Sequence, residues 1–204
     1  MSAQPYKLSF TSGGLLVREA TIAAPIYMRV NDWAHVRAEL DEGNLLQTRT
    51  ASSGLRTSRE LVQRLSTLSE AEIQLLVDAT SSERGHIMWV AACRRYEIIG
   101  DFAEEVVREK FVLMNPILAP KDFDGFVRLK TLWRAELEGT TDSTMRKLRT
   151  NLFLMLREAG FLSDGGHIVA SVLSQRVANV LASRTPSDIR FFPVVDVQAG
   201  KAAR

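Results

Sequence analysis

Helix start and stop signals punctuate this chain from end to end and leave little room for a sheet. Residues that cap helices precede runs whose apolar positions recur at 3.6-residue spacing, and glycine or proline closes them. Ser12-Gly13-Gly14 opens a first helix running toward Pro25. Asn31 caps a second, with Trp33, Val36 and Leu40 on one face and Gly43 just past its end. Gly54 precedes a third that carries Leu61, Leu65 and Leu68. Ser69 and Glu72 make a capping box, with Leu68 and Ile73 as the matching hydrophobic staple. Further helices are predicted over about 83–99, from Asp101 to the residue before Asn115-Pro116, from Asp122 to Gly139 with Phe123, Phe126, Val127, Trp133 and Leu137 inward, from Asp142 or Ser143 to Gly160, and over about 171–182. Phe161 is placed to fold back on Leu156 as in a Schellman cap.

Two places read as extended. Phe161-Leu162 and Ile168-Val169 flank the turn Ser163-Asp164-Gly165-Gly166-His167, a small hairpin. Phe191-Phe192-Pro193-Val194-Val195 reads as an edge strand or a strap, since Pro193 bars a central strand. Thr185-Pro186-Ser187-Asp188 reads as a cap with proline at the first helical position. The expected fold is all-α, a compact multi-helix globule with helix-turn-helix elements and at most that small hairpin as a wing. Pro116 and Pro120 bracket the one boundary on offer, dividing the chain into 1–115 and 116–204, with one continuous globule as the alternative.

Composition then narrows the function. At 204 residues with 46% apolar and 25% charged content, the chain can bury a full core without staples. A single cysteine, Cys93, excludes a disulfide framework and any cysteine-rich zinc site. No apolar run approaches the roughly 18 residues that span a bilayer, and no basic-then-apolar leader opens the chain. The expectation is a reduced, cytoplasmic protein with no membrane segment. No phosphate loop of the form G-x-x-x-x-G-K-[ST] and no H-E-x-x-H occurs, and His35, His86 and His167 are scattered. Cys93 lies in an apolar helical stretch and reads as an inert thiol, and Glu104 and Glu105 are neighbours that diverge by about 100° on a helix. These residues point to no enzyme, no cofactor and no metal.

The basic residues carry more information. Of 26 cations, 20 are arginine and six lysine, the type that grips carboxylates and phosphates through two donors. The net charge of +2 conceals a division. Residues 45–64 hold Arg49, Arg56, Arg59 and Arg64 against Glu60, a local +3. Residues 143–157 hold Arg146, Lys147, Arg149 and Arg157 with no acid, a local +4. Residues 97–109 hold five acids against Arg108, a local −4. Solvated helix faces are the plain explanation of such runs.

Two of these helices break a local rule in the same way. If one begins near Leu55 and the other near Ser143, each carries bases in or just past its first turn, where the helix dipole favours acids. A phosphate would relieve the conflict. At 100° per residue, Arg56, Arg59 and Gln63 fall opposite Leu61, Leu65 and Leu68, while Thr48, Arg49, Thr50, Ser52 and Ser53 supply polar groups upstream. Arginine and glutamine read guanine and adenine edges in a major groove. In the later helix Met145, Leu148, Leu152, Leu156 and Ala159 face inward, with Arg146, Thr150 and Arg157 as an outward row and Lys147 beside it. Helix, short Gly139-Thr140-Thr141 turn, basic helix and hairpin form the order of a winged helix-turn-helix; an αα-hairpin in a helical core has equal weight on these residues.

Several stretches also resemble a known family. Tyr6-Lys7-Leu8-Ser9-Phe10-Thr11-Ser12-Gly13-Gly14-Leu15-Leu16, Glu42-Gly43-Asn44-Leu45-Leu46-Gln47-Thr48-Arg49, Glu83-Arg84-Gly85-His86-Ile87-Met88-Trp89 and Asp142-Ser143-Thr144-Met145-Arg146-Lys147-Leu148-Arg149 are similar to the BrxA family of BREX (bacteriophage exclusion) defence systems. That resemblance implies a small all-helical protein with two helix-turn-helix elements flanked by positive charge, acting as a non-catalytic accessory subunit that binds double-stranded DNA. The DNA-facing residues expected from periodicity are Thr48, Arg49, Ser53, Arg56, Arg59, Gln63, Arg146, Lys147, Arg149 and Thr150. The alternative is a scaffold subunit whose arginines meet acidic partners and whose apolar surface docks on larger defence enzymes; the acidic stretch 97–109 suits such docking, with a solvated face as its commoner explanation. RNA binding ranks third, because Phe102, Phe123, Phe126 and Trp133 lie at core spacing rather than on a stacking platform. No heptad seam is present, so a monomer is expected.

Overall fold

The computed structural model describes residues 5–10 and 13–194, and among these it contains helices, short 3₁₀ turns and two isolated β-bridges but no strand. The helices are α1 (Val17–Val30), α2 (Trp33–Glu42), α3 (Ala51–Leu65), α4 (Glu70–Asp78), α5 (Ser81–Arg95), α6 (Glu97–Phe102), α7 (Glu109–Val112), α8 (Pro120–Lys130), α9 (Asp142–Glu158) and α10 (Gln175–Ala182). A π-helical stretch, Ala103–Arg108, joins α6 to α7 as one rod. The all-α expectation is met.

Caps explain where most elements begin. Ser69 and Glu72 form the anticipated capping box, and Thr80 with Glu83 forms a second. Asp32, rather than Asn31, caps α2 by accepting from the Ala34 and His35 N–H groups; Asn31 instead ends α1 in the left-handed conformation. Pro25 lies inside α1, whose buried Ala20, Ala23, Ala24 and Ile26 outweigh the roughly 3 kcal/mol that an interior proline costs. The Ser12 part of the predicted start lies outside the described residues. At the end of α9, Gly160 adopts φ +78° and the Phe161 N–H reaches Leu156 O at 2.8 Å, the Schellman cap read from the sequence.

The core is built around α5. Ile87 through Cys93 are all buried, so this helix is apolar on every side and packs against α3, α4, α6, α9 and α10. It stops at Arg95 rather than near Gly100, because Tyr96 turns its hydroxyl to both carboxylate oxygens of Glu60 on α3, at 2.8 and 2.6 Å. Trp89 Nε1 donates to Phe191 O at 3.0 Å, and Phe161, Phe192 and His86 complete an aromatic cluster there. The buried apolar side chains form one cluster from Tyr6 to Phe192.

Two sequence expectations fail for one reason. The helix from Asp122 to Gly139 ends at Lys130, and a 3₁₀ turn, Ala135–Leu137, follows. The Lys130 ammonium is drawn to Asp101 (3.1 Å) and Glu105 (2.6 Å), and Arg134 bonds Glu97 (3.1 Å) with its guanidinium over the Tyr6 ring. The chain unwinds to deliver both cations to the 97–112 rod, and Trp133, expected inward, is left 64% exposed. The hairpin survives as a bridge, Leu162↔Ile168, with Gly166 at φ +78° in its turn. The predicted tail strand is a 3₁₀ turn, Asp188–Phe191, capped by Ser187 and followed by extended Phe192; Val195 lies outside the described residues.

Candidate nucleic-acid interface

Helix α3 starts a turn earlier than the sequence placed it, which moves its cations, while α9 begins at Asp142, one of the two starts read from the sequence. Thr50 caps α3 by accepting from the Ser53 N–H, and Thr141 caps α9 by accepting from the Thr144 N–H. Arg56 and Arg59 therefore stand in the second and third turns of α3, and Arg146, Lys147 and Arg149 in the second turn of α9 or just beyond it. The conflict with the helix dipole falls away, because that field fades within the first turn.

What remains is an unpaired cationic face. Arg49, Arg56 and Arg59 are exposed and have no carboxylate within ion-pair distance among the described residues. The Arg56 side chain leans back along α3, its Nε donating to Ser52 O at 3.2 Å, so its guanidinium lies over the first turn. No acid occupies that first turn. Arg146 and Lys147 are likewise exposed and unpaired, and Thr150 donates to the Arg146 carbonyl at 2.8 Å. Some cations of the chain are held inside it: Arg94 is gripped by Glu72 and Asp188, each at 2.6 Å, and Arg176 by Glu83 at 2.6 Å. Burial pushes the Glu72 carboxyl up, but the Arg94 and Ser69 hydrogen bonds outweigh it and hold it below the usual range. Burial lifts Tyr96 to about 12, helped by its bond to Glu60.

The other sequence-predicted residues divide. Thr48 is half-buried and braces the 43–50 connection, with its N–H and hydroxyl on Asn44 Oδ1. Gly54 lets that connection close down on α3, since a Cβ there would stand 2.8 Å from Thr48 Oγ1. Ser53 is half-buried in the first turn. Gln63 accepts from Arg95 Nη2 at 2.6 Å, so its amide is committed within the fold. Arg149 is committed too, its Nη1 spanning both oxygens of Asp124 at 2.7 and 2.6 Å. Arg64, counted in the local +3, is fully buried, with Nε on Glu60 at 2.7 Å and Nη1 on Gly14 O at 2.7 Å.

The two basic helices converge at one point. Arg64 in the last turn of α3 and Glu158 at the end of α9 both bind the strap Gly14–Leu15, the second through the Leu15 N–H. A Cβ on Gly14 would meet the Glu158 carboxylate, so a larger residue there would have to displace that side chain from the Leu15 N–H. One cation escaped the sequence analysis: Arg18 on α1, exposed, donates to Gln47 Oε1 at 3.1 Å and so joins the connection that leads into α3. Twenty-nine residues separate the pair, and no local pattern marks it.

Helix α2, its eight-residue connection and α3 pack as a unit that presents the cationic face. In the later region the expected three-residue turn is absent, because residues 131–141 separate α8 from α9. Among the described residues no cluster of metal-ligating side chains occurs, and no helix is long and apolar enough to cross a membrane. Fold and site define an all-helical protein whose distinctive surface is a set of unpaired arginines on two helices tied to one strap. The BrxA family model matches residues 4–185, and the chain belongs to the BrxA family, a component of BREX phage-defence systems. It is 26% identical over 174 residues to the BREX protein BrxA of Paramagnetospirillum magneticum, covering 80% of this chain and 82% of that protein. It is 25% identical over 150 residues to the BREX protein BrxA of Escherichia coli O9:H4, covering 74% and 70%. The crystal structure of an uncharacterized protein from Magnetospirillum magneticum superposes with a TM-score of 0.76 at 24% identity, over 93% of this chain and all of that one.

Proposed function

We propose that this protein is a non-catalytic, cytoplasmic accessory component of its BREX system that binds double-stranded DNA. It grips backbone phosphates with Arg49, Arg56 and Arg59 on one side and Arg146 and Lys147 on the other, with base readout limited to Arg59. The observation that supports this reading is that Arg49, Arg56 and Arg59 beside α3 and Arg146 and Lys147 on α9 are all exposed and have no carboxylate partner among the described residues. Surface ion pairs contribute little to stability, so leaving five cations without them costs the fold little and keeps them open to phosphate.

The scaffold reading is weakened at one point. Of the acidic segment, Glu97, Asp101, Glu104 and Glu105 are spent on Arg134, Lys130 and Arg190 of the same chain. Fluorescence anisotropy with a labelled duplex of about 20 base pairs tests the proposal. Five phosphate contacts give a log–log salt slope of about −4.5, so affinity falls about 10²–10³-fold between 50 and 200 mM salt. Flat affinity across salt, or no binding at 50 mM, overturns it.

A further inference from the structure

A cavity of about 340 Å³ lies beside the cationic face, between the end of α2, the 43–50 connection and the start of α3. Its volume falls in the roughly 300–1,000 Å³ range of sites that take small molecules. Leu40, Leu46 and Leu55 give it apolar walls, and Asp41, Asn44 and Arg49 give it polar groups. Leu55 is 47% exposed, although Leu61 and Leu65 on the same helix are fully buried. An apolar side chain left open at a cavity is surface that a ligand can cover.

The connection that closes the cavity is held in an uncommon shape. Asn44 and Gln47 both take left-handed backbone, with φ +42° and +52°, a region that residues other than glycine seldom enter. The Gln47 N–H donates to Asn44 O at 2.8 Å, Asn44 Oδ1 accepts from Thr48, and Arg18 ties Gln47 to α1. Backbone over-determined in this way clusters at sites that clamp ligands.

The polar groups of the cavity are only half used. Asp41 Oδ1 accepts from the Ser58 hydroxyl at 2.5 Å. Asp41 Oδ2 lies 3.7 Å from Arg37 Nε and accepts no hydrogen bond among the described residues. Asn44 Oδ1 is taken by the Thr48 N–H and hydroxyl, whereas its NH₂ has no acceptor among the described residues. The lining residues therefore hold one free acceptor and one free donor. A nucleobase edge offers the complement, a donor beside an acceptor, and its faces suit apolar walls. Arg49, exposed and unpaired, adds the charge that a phosphate needs.

We propose, building on the reading that the arginines beside α3 meet phosphate, that this cavity takes a single unpaired nucleobase with the phosphate of the same nucleotide on Arg49. A base inside a duplex must be unpaired and unstacked first, which costs least where it is mismatched or already single-stranded. The site therefore selects unpaired bases over paired ones rather than one base over another. Its occupant comes from a distorted duplex or from a free mononucleotide.

Fluorescence anisotropy compares a fully paired duplex of about 20 base pairs with the same duplex carrying one extra adenosine in one strand, near 0.1 M salt. Saturation-transfer NMR with deoxyadenosine monophosphate reads the free nucleotide. The bulged duplex is expected to bind about tenfold tighter than the paired one. Ala51→Phe, at an exposed position on the lining, plugs the cavity. It removes that preference, leaves paired-duplex affinity within about twofold and keeps the urea midpoint. Ala51→Leu, a smaller plug, does the same in part. A mononucleotide signal that Ala51→Phe abolishes adds free nucleotides as occupants; its absence beside a bulge preference confines the site to DNA, and both results uphold the cavity. Equal affinity for the two duplexes with no mononucleotide signal overturns it, while salt-dependent binding of both leaves phosphate gripping intact. A bulge preference or mononucleotide signal that survives Ala51→Phe lies elsewhere and overturns it too. If no duplex binds but the mononucleotide does, in a manner Ala51→Phe abolishes, the cavity stands and the duplex reading falls.

Discussion

Helices α3 and α9 carry nearly the same number of basic residues and use them differently. On α3 and its connection, Arg64 is locked inside with Glu60 and Tyr96, while Arg49, Arg56 and Arg59 stand outside with no acid near them. On α9, Asp142 sits in the first turn and Asp124 on α8 holds Arg149 with two short bonds, leaving Arg146 and Lys147 as the unpaired pair near its start. Charge counted along the sequence ranks α9 above α3, at +4 against +3. Counted as cations without a carboxylate partner, the two segments are level at three each, but Arg157 stands at the far end of α9, away from Arg146 and Lys147. For a surface that meets phosphate, the second count governs, because a paired guanidinium has already spent its donors.

The largest effect expected from this comparison is on stability. Glu60→Ala removes the one carboxylate that pairs with buried Arg64 among the described residues and strips the Tyr96 hydroxyl of its acceptor. Leaving such a charge unpaired costs about 3–5 kcal/mol. Urea denaturation reads this as a lower midpoint with little change in slope, and an unchanged midpoint would mean that Arg64 is not part of the core.

On the outer face the effects are on binding. Arg56→Ala with Arg59→Ala lowers duplex affinity by about 30–100-fold near 0.1 M salt and reduces the salt slope by about two. Arg146→Ala with Lys147→Ala, on the more screened helix, is expected to cost about tenfold. Urea midpoints of both pairs stay near wild type, because all four side chains are exposed. Equal losses from the two pairs would erase the ranking of α3 over α9.

How far these roles were legible in the sequence follows the range of the forces behind them. Caps and periodic apolar positions act within a few residues, so Ser69–Glu72, the Gly160 cap and the inward leucines of α3 were readable directly. The one-turn shift at the start of α3 came from Thr50, which competes with other good caps nearby. The commitments of individual charges were not readable. Arg64 is buried by Gly14 and Tyr96, fifty and thirty-two residues away, and Gln63 is taken by Arg95. Trp133 is exposed because Lys130 and Arg134 answer acids on a distant rod. A helical wheel assigns a side chain to a face, but long-range pairing decides whether that face is available.

Asp124 offers the finest test of that distinction. It is half-exposed and holds Arg149, whose own side chain is one-quarter exposed, so their bond stabilises the fold by no more than about 1 kcal/mol. Asp124→Ala removes a negative charge beside α9 and releases a guanidinium next to Arg146 and Lys147. If unpaired cations set affinity, this single substitution strengthens duplex binding by about three- to tenfold near 0.1 M salt and steepens the salt slope by close to one. Arg149→Ala in the native background changes affinity by less than about threefold, since that arginine is already occupied. The two substitutions together cancel the gain, because no freed guanidinium is left to reach a phosphate. A loss of binding on Asp124→Ala would instead place the carboxylate among the groups that position α9, and the bond to Arg149 would then orient a DNA contact rather than compete with one.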